Sequence, residues 1–122
     1  MTTPELLALF QSTQHLANSA AAFARLELEP LVDTGNAVPI GIALQALPRM
    51  AFTSFEVFAP DNPVSRVFKL SLGAPQASYR FEVRIRLGAS QDVWLVARLS
   101  DGRVMGMHQP TVLTSSACFD AS

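Results

Sequence analysis

Hydrophobic and polar positions change period once along this chain. From Thr3 to about Ala24 the apolar residues recur at helical spacing. Leu6, Leu9, Phe10, Leu16, Ala17, Ala20, Phe23 and Ala24 share one stripe, broken by Thr13, and Gln11, Ser12, His15 and Asn18 fall opposite. Thr3 is placed to cap, Pro4 suits the first turn, and Glu5 suits the positive end of the helix dipole. The pattern predicts an N-terminal helix over residues 1–24.

From Arg25 onward the period is two. Leu26 and Leu28 alternate with Arg25, Glu27 and Glu29, and after the turn Asp33-Thr34-Gly35-Asn36 come Val38, Ile40, Ile42 and Leu44. Pro39 in that run points to an edge strand or a bulge. Phe52–Ala59 and Val64–Leu70 read as further strands, closed by Pro60-Asp61-Asn62-Pro63 and Gly73-Ala74-Pro75. Ser78–Leu87 alternates most regularly: Tyr79, Phe81, Val83, Ile85 and Leu87 face one way, and Arg80, Glu82, Arg84 and Arg86 the other. Trp94–Leu99 and Val104–Leu113 flank Asp101-Gly102, a strong hairpin signal. About seven strands with frequent turns and no intervening helix predict an immunoglobulin-like antiparallel β-sandwich over residues 25–113. The remainder, residues 114–122, reads as a mobile C-terminal arm carrying Cys118.

The composition narrows the function. The chain has 122 residues, 49% of them hydrophobic and 16% charged, which suits one compact folded domain. Nine Lys+Arg against ten Asp+Glu give a net charge of −1, too acidic for a general nucleic-acid binder. No apolar run reaches the roughly 18–20 residues of a membrane-spanning helix. The N-terminal residues lack the basic segment of a secretory signal, since the first basic residue is Arg25. One cysteine excludes an intramolecular disulfide and a cysteine-based zinc cage.

Candidate chemistry is sparse. There is no glycine-rich phosphate loop and no nucleophile elbow, so the chain reads as a non-enzyme without a cofactor. Glu27 and Glu29 share a strand face and read as solvated carboxylates. The stripe Arg80, Arg84, Arg86 suits either a small anion or an ordinary solvated face relieved by Glu82. Met105, Met107 and His108 are soft copper ligands, but His108 points opposite to the two methionines on a regular strand and the set is incomplete. His15 lies on a different element. Cys118 is the unusual residue. A thiol beyond the last strand is either a tethered nucleophile or an incidental tail cysteine, and composition leaves both open.

Three segments carry a family resemblance. Leu28-Glu29-Pro30-Leu31-Val32-Asp33-Thr34-Gly35-Asn36-Ala37-Val38-Pro39-Ile40 resembles the opening of SoxY, the sulfur-carrier subunit of bacterial thiosulfate oxidation. Phe58-Ala59-Pro60-Asp61-Asn62-Pro63 and Arg84-Ile85-Arg86-Leu87-Gly88-Ala89-Ser90-Gln91-Asp92-Val93, running into Ala97–Gly102, resemble it too. The resemblance spans roughly Leu26 to Cys118. It implies an immunoglobulin-like fold and makes Cys118 the covalent attachment point for thiosulfate-derived sulfur. It also implies a periplasmic location with the signal peptide removed, a heterodimer with a SoxZ-like subunit, and three enzyme partners. These are a c-type haem enzyme that joins thiosulfate to the thiol, a sulfate-releasing hydrolase, and a sulfane dehydrogenase. The family's cysteine sits among glycines, whereas Cys118 lies between Ala117 and Phe119. Two alternatives stand beside this reading: a non-covalent immunoglobulin-like binding module, and a periplasmic copper-binding protein using Met105, Met107 and His108.

Overall fold

The computed structural model describes residues 1–115. One helix, α1 (Thr3–Gln11), precedes eight strands among the described residues: β1 (Phe23–Leu28), β2 (Leu31–Val32), β3 (Val38–Gln45), β4 (Phe52–Phe58), β5 (Arg66–Gln76), β6 (Ser78–Ile85), β7 (Gln91–Leu99) and β8 (Val104–Leu113). They form two facing sheets, in the orders β1-β3-β6 and β2-β8-β7-β4-β5. All pairings are antiparallel except the two-residue parallel contact of β2 with β8. This is the expected mainly β, immunoglobulin-like sandwich, with one very short strand beyond the seven expected.

The inner faces supply the core. Leu26, Val38, Ile42, Phe52, Phe55, Val57, Val93, Leu95, Ala97 and Met105 are fully buried between the sheets. The alternation predicted for Ser78–Leu87 holds, with its arginines exposed and its apolar residues turned inward. One side of the sandwich is tied shut by β8 side chains. Gln109 Nε2 donates to the Leu26 carbonyl at 3.1 Å, and Thr111 Oγ1 donates to the Glu29 carbonyl at 2.8 Å. At the far end the Asp101-Gly102 hairpin forms as expected. Gly102 takes φ +89°, and the Asp101 side chain accepts from the Arg103 backbone N–H at 2.9 Å.

The helix is shorter than predicted. It ends at Gln11 instead of reaching Ala24, and its cap is Thr2, whose hydroxyl accepts from the Glu5 N–H at 3.4 Å. Ser12 stops it by donating its hydroxyl to the Leu9 carbonyl at 2.7 Å. Residues 14–16 then run beside β8: Val104 N donates to the Gln14 carbonyl at 3.0 Å, and Leu16 N donates to the Val104 carbonyl at 2.8 Å. Asn18 completes the diversion, accepting from Ala24 N at 2.8 Å and donating to the Gly106 carbonyl at 3.1 Å. Phe23 and Ala24 therefore belong to β1. A weak apolar stripe of alanines does not outweigh these tertiary hydrogen bonds.

Two prolines also differ from expectation. Pro39 lies in the central strand of its sheet, one residue past the last β1–β3 pair, Leu28 with Ile40. No β1 residue opposite it lacks a donor. The fourth long strand runs on through Pro75 to Gln76, because β5 is an edge strand with a register shift near that end.

A second apolar layer lies on the outer face of the larger sheet. Leu6, Phe58, Trp94, Val96 and Val104 are buried together there, with Leu9 and Phe10 packed on them. α1 thus covers strands that are buried on both faces, which explains the unbroken apolar run Val93–Ala97.

Candidate functional site

The last described residues, 112–115, form the root of the expected C-terminal arm and are fixed residue by residue. Val112 N donates to the Pro30 carbonyl at 2.8 Å, and Leu113 N donates to Ser90 Oγ at 2.8 Å. Thr114 N donates to the Val32 carbonyl at 3.1 Å, and its hydroxyl to the Asp33 carbonyl at 2.6 Å. Gly35 N donates to the Ser115 carbonyl at 2.7 Å. The backbone is therefore held up to three residues before Cys118 (118 − 115 = 3). Cys118 itself lies outside the described residues.

The loops that hold the root are tied to each other. Leu87 N donates to the Gly35 carbonyl at 2.9 Å. Asn62 bridges two loops: its amide donates to the Arg86 carbonyl at 2.8 Å, and its oxygen accepts from Gly88 N at 2.9 Å and Gln91 Nε2 at 3.1 Å. Gln91 Oε1 in turn accepts from Asp61 N at 2.9 Å. The segments 28–40, 58–63 and 84–93, far apart in sequence, thus meet around the root of the arm. Asn62→Ala removes all three side-chain bonds and leaves the Gly88 N–H without its acceptor. It is expected to cost about 2 kcal/mol of stability, measured by urea unfolding, with faster hydrogen exchange at Leu113. Wild-type stability and exchange in that variant would contradict the role given to Asn62.

The arginine stripe divides. Arg80 is engaged by Glu27 at 2.6 Å and by Glu82 at 3.1 Å. Arg84 shares an open groove of about 740 Å³ with Arg80, Glu27, Glu29 and Glu82. Three carboxylates against two guanidiniums make this groove a poor anion site. The Arg80 hydrogen bond holds the Glu27 carboxyl below the usual carboxylate range, against the opposing effect of burial. A depressed pKa stabilises the fold above the carboxyl's unfolded pKa, and this contribution is lost as pH falls through the folded value. The stability gap between wild type and Arg80→Ala should therefore narrow on acidification, and also in high salt because both side chains are about half exposed. Urea titrations at neutral and acidic pH check this, and an unchanging gap would contradict it.

The soft-ligand set does not converge. Met105 is fully buried in the core and Met107 packs against that core, whereas His108 stacks on Trp94 on the outer face at 4.2 Å. The two histidines meet instead around an aromatic cluster that the sequence reading missed. Phe10 stacks on His15 at 4.7 Å and packs against Trp94 at 5.4 Å. Among the described residues no group of three or more His, Cys, Asp or Glu is placed to hold a metal. None of their helices is long and apolar enough to cross a membrane.

The decisive comparison is with protein families. The sulfur oxidation protein SoxY family matches residues 8–118, a match that reaches Cys118. The chain belongs to the SoxY family. Membership implies a carrier role in sulfur oxidation, since SoxY-family proteins are carrier subunits that work with sulfur-oxidation partners. No curated protein matches the chain. Among solved structures, superoxide reductase (neelaredoxin) from Ignicoccus hospitalis is similar, with TM-score 0.58 and 7% identity over 84% of this chain and 99% of that one. A putative superoxide reductase from Thermotoga maritima gives TM-score 0.57 and 9% identity, covering 80% and 92%. At such identities the likeness to these structures is one of fold alone. For this SoxY-family chain two of the segments that carry the resemblance hold residues 112–115, and the third is tied to them through Asn62.

Proposed function

We propose that Cys118 is the covalent attachment site for thiosulfate-derived sulfur. The observation that carries this reading is the arrangement of the three SoxY-like segments at the arm root: segment 28–40 bonds Thr114 and Ser115, segment 84–93 holds Leu113 through Ser90, and segment 58–63 is tied to 84–93 through Asn62. A carrier needs a reactive group held at short reach from a stable body, and it needs no acid or base beside it. An ordinary thiol, with pKa near 8.5, is a few per cent ionised at neutral pH, so the enzymes it visits supply activation and oxidant.

The chemistry balances as follows. The Cys118 thiolate and the outer sulfur of thiosulfate form one S–S bond, and two electrons pass to the haem enzyme that the family resemblance implies. Water then cleaves the S–SO3 bond of this adduct, releasing sulfate and two protons and leaving a persulfide on Cys118. The family reading adds a SoxZ-like subunit as heterodimer partner, a sulfane dehydrogenase to oxidise the persulfide, and a periplasmic setting. Ala117 and Phe119 replace the flanking glycines of the family, and Phe119 adds a bulky side chain for partner enzymes to accommodate.

The test is loading in vitro. The chain, thiosulfate, the haem enzyme and an electron acceptor are mixed and followed by intact mass. One S–SO3 group added per chain, removable by reductant, is the expected product. An unmodified mass would point to the non-covalent binding module.

A further inference from the structure

The pole that holds the arm root also gathers exposed apolar side chains. Val64, Leu31 and Val112, at 71%, 60% and 54% exposure, are the three most exposed large hydrophobic residues among those described. Leu31 and Val112 are partners in the β2–β8 register, on the last rungs before the root. Val64 lies in the loop between β4 and β5, which Asp61 and Asn62 tie to the loop before β7. Leu7 on α1 and Leu47 between β3 and β4 are less exposed, at 43% and 40%. Leu31 and Val112 thus form an exposed apolar pair beside the arm root, and adjoining exposed apolar side chains mark a contact surface.

The length of the arm says what kind of contact. Ser115 is pinned through its carbonyl, and only Ser116 and Ala117 stand between it and Cys118 in sequence. At roughly 3.6 Å per residue the Cys118 Cα lies no more than about 11 Å from that of Ser115. An enzyme that takes this thiol into a recessed active site must therefore press its entrance against the rim of the pole. We propose that Leu31 and Val112 are the docking rim for the sulfur-oxidation enzymes that act on Cys118, and that the matching surface around those enzymes' active-site entrances is apolar. The proposal rests on the carrier reading.

The experiment compares wild type, Leu31→Glu/Val112→Glu and the control Leu47→Glu as thiosulfate substrates of the haem conjugating enzyme. Unfolding temperatures establish that all three fold, and a small thiol reagent measures the intrinsic reactivity of Cys118. The rim variant should lose about tenfold or more in kcat/KM for loading, with the small-reagent rate unchanged and Leu47→Glu close to wild type. Equal loading of rim variant and wild type would overturn the docking rim while leaving the carrier reading intact. So would a rim variant that loads normally but no longer binds the SoxZ-like subunit, or that splits a wild-type homodimer. A wild type that never loads would overturn the carrier reading and the rim with it.

Discussion

Cys118→Ser should abolish covalent loading while leaving the domain as stable as the wild type. The change replaces one sulfur by oxygen, so size and backbone freedom are nearly constant and only nucleophilicity is lost. A serine hydroxyl is scarcely ionised at neutral pH and forms no disulfide-type bond to thiosulfate. Every buried side chain among the described residues lies at or before Thr111, and the root bonds use Val112 to Ser115. The expected change in stability is therefore within about 0.5 kcal/mol. Urea unfolding and mass-monitored loading on the same preparation separate the two readouts. A variant that unfolds would show that Cys118 is part of the core, and one that still loads would show that the sulfur is carried elsewhere.

Gly106→Ala should produce the largest loss of stability. Gly106 pairs with Val96 where β7 and β8 run under the helix. A Cβ at this position would lie 2.0 Å from the Leu95 carbonyl oxygen and 2.9 Å from Phe10 Cζ. The first clash is with backbone, which moves only if the β7–β8 ladder opens. Phe10 cannot simply withdraw, because it packs on Trp94 and stacks on His15. The Gly106 carbonyl also accepts from Asn18, so a shift of β8 disturbs the segment that enters β1. A cost of about 3 kcal/mol or more is expected, with α1 loosened from the sheet. Thermal unfolding with tryptophan fluorescence of Trp94 reads both effects. Near wild-type stability would mean that the helix does not pack over Gly106 as described. Gly73 is the contrast: a Cβ there meets nothing within 4 Å, so Gly73→Ala should be nearly silent.

The sheet was more legible in the sequence than the helix, for a physical reason. Alternation from Tyr79 to Leu87 is local information, and so is the Asp101-Gly102 turn. Both appear as expected, as does the immunoglobulin-like sandwich. The helix end was not local. Ser12 offers a stop signal, but what holds residues 14–18 out of a helix is hydrogen bonding to Val104 and Gly106, some 88 positions away in the case of Asn18. The outer apolar layer had a visible sign that a period-two reading passes over. Val93–Ala97 is apolar without a break, which is the mark of a strand covered on both faces.

The SoxY resemblance was also readable, and the family match over residues 8–118 bears it out. What the sequence did not show is why those segments matter together. Asn62 and Gly88 are 26 residues apart, and Thr114 and Asp33 are 81 apart, yet they join in one scaffold around the arm root. Short polar residues such as Asn62 and Ser90 read as turn formers in isolation, and only the fold reveals them as the clamp. The copper set fails for the opposite reason. Met105, Met107 and His108 are neighbours in sequence, but strand alternation sends His108 to the face opposite the methionines.

The most direct test of the central claim is the intact mass of the native chain from thiosulfate-oxidising cells, taken before and after mild reductant, with peptide mapping of the adduct. The carrier account predicts sulfane and S–SO3 adducts that disappear on reduction, map to the peptide containing Cys118, and are absent from Cys118→Ser. A single unmodified mass from cells actively oxidising thiosulfate would contradict it.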